Sequence, residues 1–153
     1  MGQEDFHAIF EHTAPQLLQL AYDYVDHDER VDAIWVVSTQ EQGVGVTAAF
    51  YRIDGRPVHH AEVPLLLPQV SKDDHATFLE ELSDLSWAFA EVDDADMPTR
   101  MVIRLDVAGD AMEADFSYER VAPVEDEMDD ATIMDQWFNR LRDTGNDSAT
   151  TPL

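Results

Sequence analysis

Histidines and acidic residues are the side chains with the greatest potential for chemistry in this sequence, which contains no cysteine. The absence of cysteine excludes disulfides, thiolate metal sites and cysteine nucleophiles. His7 and His12 lie five positions apart, off a common helix face. His59 and His60 are adjacent on a predicted strand, so they point to opposite sides. One of them could join Glu62 in a metal site, but nothing else in the sequence completes it. We therefore predict no metal and no other cofactor.

Acidic residues are so frequent that pairs of carboxylates say little about catalysis. They occupy 33 of 153 positions, so any strand presents two of them close together. A hydrolase needs one carboxyl group in an apolar environment that raises its pKa, and Asp106, between Leu105 and Val107, is the best such candidate. The sequence has neither a Gly-x-Ser-x-Gly nucleophile motif nor a glycine-rich phosphate loop. We therefore predict that the protein is not an enzyme, and we assign no catalytic residues.

The net charge of −24 is the most unusual property of the chain. It repels nucleic acid phosphates and anionic membranes, whereas it attracts a basic protein and accelerates association with it. Adaptation to high salt is an alternative explanation, since the only lysine is Lys72. The N-terminal residues lack the basic region and apolar core of a signal peptide. No apolar run approaches the roughly 20 residues of a membrane span, so we predict a cytoplasmic protein.

Hydrophobic periodicity predicts a single domain, residues 1–143, followed by a disordered tail, residues 144–153. The predicted order is helix, three strands, helix, two strands, helix. The first predicted helix covers residues 5–26 and is kinked or divided at Pro15, and three strands follow at 31–39, 44–53 and 57–63. The second predicted helix is capped by Ser71 and Asp74 and ends near Glu91. A hairpin over residues 100–119 then precedes a last helix that begins at Asp129 or Asp130. This order favours an α+β fold, with an antiparallel sheet of about five strands and helices packed on one face.

The hairpin at Arg100–Glu119 has the clearest pattern, because apolar and polar residues alternate along both arms. A two-residue turn at Gly109 and Asp110 would fix the register of the two arms. This turn pairs Ile103 with Phe116 and brings the apolar residues of both arms onto one core face. The opposite face of the second arm is acidic.

This acidic face is the predicted partner-binding surface, with simple solvation as the alternative. In the predicted register, its cross-strand pairs are Arg104–Asp115, Arg100–Glu119 and Asp106–Glu113. Like charges that face each other reduce stability. The pair of Asp106 and Glu113 is therefore the best candidate for contacting a basic partner.

A tryptophan on the second helix is a further candidate contact. Trp87 lies off the apolar face to which Phe78, Leu79 and Leu82 belong, and an exposed tryptophan often anchors an interface. The complete set of predicted partner-binding residues is Asp106, Glu113, Asp115, Glu119, Glu62 and Trp87.

Several short motifs occur together in the second half of the chain. They are a strand that ends at Val63-Pro64, a helix that opens at Val70-Ser71, a hairpin arm with the sequence EADFSYE, and Trp137-Phe138 in the last helix. This set resembles the YezG-type antitoxin family, the immunity proteins of bacterial polymorphic toxins. The likeness covers about residues 14–143 in layout and 58–138 in motif. Phe116 stands where the family tends to have tyrosine, and residues 1–13 extend the chain at its start.

The resemblance implies a small cytoplasmic protein that binds and neutralises a cognate protein toxin, often a nuclease. It transfers no catalytic residues, because the family is not enzymatic, and no toxin contacts by position. Together with the charge, it predicts an immunity protein, monomeric or homodimeric, whose partner is a basic toxin domain rather than nucleic acid or membrane. The same order of elements also resembles the small acidic chaperones of type III secretion, homodimers that bind an unfolded effector segment. This is the alternative prediction.

Overall fold

A five-stranded antiparallel sheet forms the centre of the fold in the computed structural model of the chain. The structure describes residues 6–40, 46–92, 97–121 and 130–151. The strands are β1 (Val31–Thr39), β2 (Val46–Ile53), β3 (Arg56–His59), β4 (Arg100–Asp106) and β5 (Ala111–Ser117). The helices are α1 (Phe6–Tyr24), α2 (Val63–Leu66), α3 (Lys72–Ser86) and α4 (Asp130–Thr144). The strand order across the sheet is β3-β2-β1-β4-β5.

The predicted α+β class and the predicted order of elements are confirmed. The single turn α2 is an addition, and Pro64 lies in its first turn, where a missing N–H costs little. Some predicted features lie outside the described residues. These are the turn at residues 41–43, the loops at 93–96 and 122–129, the cap at Asp129 and the last two residues of the predicted tail.

Helix α1 runs through Pro15 without a break. Of the two possibilities that the sequence left open, the structure therefore has one continuous helix. A proline inside a helix removes a backbone donor and displaces the preceding carbonyls. The carbonyl of His12 accepts a hydrogen bond from Nε2 of Gln16 at 2.9 Å, which stabilises the turn around the proline.

The two faces of the sheet are covered by different helices. On the first face, α1 and α3 pack on strand residues that include Ile34, Tyr51 and Ile103. On the second face, α4 packs on Trp35 and Phe50. The prediction of helices on one face is therefore wrong for α4. The physical reason is that the alternate positions of the central strands are also apolar, so both faces exclude water.

The N-terminus of α3 has the predicted capping box. Oγ of Ser71 accepts a hydrogen bond from N–H of Asp74 at 3.0 Å, and the carboxylate of Asp74 accepts one from N–H of Ser71 at 2.9 Å. Two backbone donors that have no partner within the helix are therefore satisfied.

Replacing Ser71 with alanine is expected to lower the free energy of unfolding by about 1 kcal/mol, because one of these donors loses its acceptor. Urea unfolding followed by circular dichroism measures this change. Ser83→Ala is the matched control, because Ser83 is exposed within the same helix. An equal loss in both variants would contradict the role of the cap.

Residues 145–151, called here the 145–151 segment, follow α4 and lie on the second face of the sheet. Backbone N–H of Gly145, whose φ is +75°, donates to the carbonyl of Leu141 at 2.8 Å and ends the helix. Nε1 of Trp137 donates to the carbonyl of Ser148 at 3.1 Å, and Ala149 is fully buried. This packing differs from the disordered tail that the small, polar residues of the sequence predict.

Candidate partner-binding surfaces

The hairpin of β4 and β5 alternates as predicted, but its register differs, and the apolar side of β5 is not the predicted core face, because Met112 and Ala114 are exposed. Ile103 pairs with Ala114, and Met101 pairs with Phe116. The predicted pair of Ile103 and Phe116 is therefore wrong by two residues. The connection is a four-residue loop over residues 107–110, in which Asp110 has a φ of +49°. A shift of two residues keeps each side chain on its face, so the alternation of apolar and polar positions does not reveal it.

The predicted clash between Asp106 and Glu113 is absent. Asp106 pairs with Ala111, and Glu113 pairs with Arg104. The carboxylate of Asp106 instead accepts a weak hydrogen bond from N–H of Gly109 at 3.4 Å within the hairpin loop. Asp106 and Glu113 are both exposed. The argument that an unfavourable pair marks the binding surface therefore fails.

The other two acids of the hairpin have different surroundings. Asp115 pairs with Val102 rather than with Arg104, and its Oδ2 accepts a hydrogen bond from N–H of Ala149 at 2.8 Å. Glu119 lies beyond the end of β5, so Arg100 pairs with Ser117 instead. The 145–151 segment therefore engages Asp115, which leaves less of the acidic face available than the sequence indicated.

The predicted partner-binding residues do not form one surface. Glu62 is exposed in the 3₁₀ turn after β3, which is the strand at the opposite edge of the sheet from β5. Four strand spacings of about 4.8 Å separate these edges by roughly 19 Å. Trp87 lies at the end of α3, on the first face. The hairpin acids, Glu62 and Trp87 therefore lie on three different parts of the fold.

The solvent side of α3 combines exposed apolar and acidic side chains. Trp87 is 69% exposed, in agreement with its predicted position off the apolar face. Leu79 is 39% exposed, so the prediction that it belongs to the buried face is wrong. The buried contacts of α3 come from Phe78 and Leu82, and Leu79 lies next to them at the margin of that face. The exposed acids on the helix are Asp73, Asp74, Glu80, Glu81 and Asp84.

A second exposed apolar group lies on α2, where Leu65 is 84% and Leu66 is 41% exposed. The sequence showed three consecutive leucines between two prolines but did not indicate which of them are exposed. Leu67 is fully buried, and it anchors the loop to the core. Leu65 and Leu66 are thus potential contacts that sequence reasoning missed.

The histidines next to β3 belong to the interior rather than to a metal site. The ring of His60 is buried, and its Nδ1 lies 3.1 Å from both the backbone N and the carbonyl O of Ala49. Burial, then the nearby His59 and His75, lower the pKa of His60 to about 3. Across the described ranges, no group of three or more histidine, aspartate or glutamate residues is arranged to hold a metal ion.

Comparison with known proteins adds no relative to this description. No protein-family model matches the chain, and no curated protein matches it. The helices in the described part of the chain are all too short or too polar to cross a lipid bilayer.

Proposed function

We propose that this protein is an immunity protein that binds a basic toxin domain through the solvent side of α3 and thereby neutralises it. The exposed Trp87 is the observation that carries this proposal. An indole that is 69% exposed holds apolar surface in water, and covering that surface with a partner is favourable. Tryptophan is also enriched among residues that dominate binding energy at interfaces.

The surroundings of Trp87 fit a basic partner. Leu79, Ser83 and Trp87 recur at intervals of four, so they share one side of the helix. Glu80 and Asp84 form the neighbouring row at the same interval and are exposed. An apolar centre beside carboxylates suits a partner surface on which lysines and arginines surround an apolar pocket. Such charge complementarity increases the association rate and fixes the orientation of the complex.

The hairpin is the less favourable surface for this role. The 145–151 segment engages Asp115, and Arg104 faces Glu113, so part of the acidity of the hairpin is compensated within the protein. The order of elements on which the resemblance to YezG-type antitoxins depends is also the order in the structure. The first observation favours α3 over the hairpin as the binding surface, whereas the order of elements is compatible with both an immunity protein and a secretion chaperone.

The Trp87→Ala variant is expected to weaken binding of the basic toxin domain encoded by the neighbouring gene by about 2 kcal/mol, or roughly 30-fold in Kd, the effect of losing a central aromatic contact. Isothermal titration calorimetry measures this loss. Tyr118→Ala is the matched control, because Tyr118 is an aromatic residue that is 54% exposed beyond β5. A larger loss for Tyr118→Ala would assign the interface to the hairpin instead.

Two further measurements test the proposal as a whole. The association rate of the toxin domain should fall as salt concentration rises, because the attraction between exposed charges is screened. Co-expression should protect cells from the toxin. If the cells die although both proteins are folded and present, the immunity function is refuted, whichever surface Trp87 belongs to.

The alternative is a secretion chaperone, and the exposed pair of Leu65 and Leu66 is the observation that favours it. A chaperone of this type is a stable homodimer and binds an extended segment through apolar patches. Light scattering coupled to size-exclusion chromatography distinguishes the two functions. A stable dimer that binds an unfolded effector segment but no folded toxin would favour the chaperone.

A further inference from the structure

A cavity lined by arginines lies on the second face of the sheet, on the opposite side from α3 and the proposed toxin surface. Its volume is about 310 Å³. Arg52 comes from β2, Arg104 from β4 and Arg142 from α4, and Asp147 of the 145–151 segment completes the charged lining. Trp35, which is almost fully buried, also lines it. Residues from β1, β2, β4, α4 and the 145–151 segment thus line one small space.

Arginines are concentrated in this cavity. The chain has nine lysines and arginines against 33 acids, and three of those nine line this cavity beside a single carboxylate. Asp32 and Asp143 pair with two of them, Arg52 and Arg142, so nearby carboxylates offset their positive charge. Attraction for a small ligand therefore depends on the guanidinium N–H groups that these pairs leave open rather than on a net positive charge.

The cavity already holds one carboxylate, that of Asp147. Its Oδ2 accepts a hydrogen bond from Nε1 of Trp35 at 2.9 Å and lies 3.5 Å from a terminal nitrogen of Arg104. The arrangement shows that the wall of the cavity can bind an oxyanion. A neutral indole donor and a guanidinium are groups that bind carboxylates and phosphates well.

The arginines keep binding capacity beyond their ion pairs within the protein. Arg52 contacts Asp32 through Nε at 2.6 Å, and Arg142 contacts Asp143 through Nε at 3.2 Å. Both pairs use Nε, so neither occupies the terminal nitrogens with which guanidinium groups bind two oxygens at once. Nε of Arg104 is buried and has no hydrogen-bond partner among the described residues.

Two glycines line the cavity at its open side. Gly55, in the turn between β2 and β3, and Gly145, at the end of α4, both line it and both have a positive φ. A Cβ atom built on either would meet no atom within 4 Å. The space next to the arginines is therefore empty of protein and accessible to a ligand.

We propose that this cavity binds a small oxyanion, a phosphate or carboxylate group, between Arg52, Arg104 and Arg142. The indole N–H of Trp35 and the carboxylate of Asp147 form the wall of the site, and Asp147 competes electrostatically with the ligand. The site does not depend on toxin binding, because it lies on the face of the sheet opposite to α3.

Titration of the intact protein with inorganic phosphate, and separately with citrate, tests the proposal by nuclear magnetic resonance. Chloride at equal ionic strength is the reference. The indole N–H signal of Trp35 is expected to shift with a saturable dependence on the anion, whereas that of the exposed Trp87 stays in place. A response to phosphate alone or to citrate alone identifies the preferred oxyanion. If neither anion shifts the Trp35 signal more than chloride does, the site is refuted.

Three single variants sharpen the result. Arg142→Gln is expected to weaken phosphate or citrate binding by about tenfold, the usual effect of losing one charge-assisted contact. Lys72→Gln removes the same charge from the exposed start of α3 and should leave the affinity unchanged. Asp147→Asn keeps a side-chain acceptor for Trp35 but removes the competing charge, so it should bind the anion more tightly. Equal affinities for Arg142→Gln and Lys72→Gln would also overturn the proposal.

Discussion

Truncating the chain after Thr144 is expected to lower the free energy of unfolding by about 4 kcal/mol, a large effect for a stretch of small polar residues. The 145–151 segment accepts hydrogen bonds from Trp35, Trp137 and Arg140 and donates one to Asp115. Each such bond contributes about 1 kcal/mol net. Burial of Ala149 adds to the expected loss of stability. Water that reaches the exposed polar groups after truncation forms new hydrogen bonds with them, which reduces the loss.

Urea unfolding followed by tryptophan fluorescence measures the loss, and the slope with urea shows whether the native state stays compact. The point variant Asp147→Ala should lose about 1–2 kcal/mol, because Trp35 is left without its acceptor. Asp135→Ala removes an exposed carboxylate from α4 and serves as the control. A truncated protein that unfolds at the same urea concentration as the full chain would show that the segment contributes nothing to stability.

The behaviour of this segment explains one limit of sequence reasoning. Residues 144–153 have no periodic apolar pattern, and some of the contacts that hold the described residues come from side chains far away in the sequence. Trp35 lies 112 positions away from Asp147. One indirect signal was present, because a buried tryptophan needs an acceptor for its indole N–H. Trp137, which is fully buried, donates to the backbone carbonyl of Ser148. Because every residue has such a carbonyl, the residue type at position 148 could not have predicted this contact.

The sheet shows which features alternation can predict. Alternation grouped the side chains of β4 and β5 by face correctly, because a side chain changes face with every residue. It did not predict that Met112 and Ala114, on the apolar side of β5, are exposed. It did not determine the register, since a shift of two residues preserves every face. The choice depended on the turn, and a four-residue loop at residues 107–110 forms in place of the two-residue turn that Gly109 and Asp110 suggested.

The position of α4 was predictable in principle. In the sequence AIWVV of β1, the residues that point to one side of the sheet and those that point to the other are all apolar. This pattern is typical of a strand buried on both faces. Trp35 and Val37 therefore needed a cover, and α4, with Trp137 and Phe138 on one side, was the remaining amphipathic helix. For the candidate surfaces, helical spacing correctly predicted the exposure of Trp87. It could not decide which exposed residues meet a partner, because that depends on a second molecule.

Lowering the pH from about 7 to about 4.5 is expected to destabilise the protein by about 2 kcal/mol, mainly through His60. This histidine is 6% exposed and lies against the backbone of Ala49. Its ring is 4.2 Å from that of His59 and 5.3 Å from that of His75. Burial is the main cause that lowers its pKa to about 3, the two neighbouring histidines act in the same direction, and the hydrogen bond to Ala49 opposes them.

The sign follows from proton binding in the two states. The unfolded chain protonates His60 below its ordinary pKa of about 6.5, whereas the folded protein keeps it neutral until about pH 3. Between these values the unfolded state binds the additional proton, so stability is complete above the unfolded pKa and decreases as pH falls, by up to about 1.4 kcal/mol per pH unit. Burial also lowers the pKa of His59, which adds in the same direction despite Asp135 and Glu62.

The pH range separates this effect from that of the carboxylates. Asp23 and Asp28 have pKa values below their ordinary 3.8, because of hydrogen bonds from His27 and Arg30 respectively. Their contribution to stability therefore disappears only near and below that value. Measurements that stop at about pH 4.5 consequently leave the contributions of Asp23 and Asp28 in place.

Urea unfolding at both pH values, for the wild type and two variants, tests this assignment. In His60→Asn the side-chain amide can replace Nδ1 next to Ala49, while no group remains to titrate, so most of the pH dependence should disappear. His12→Asn makes the same change at an exposed position of α1 and should retain it. If both variants lose the same stability between the two pH values as the wild type, protonation of His60 in the unfolded chain is not the cause of the acid sensitivity.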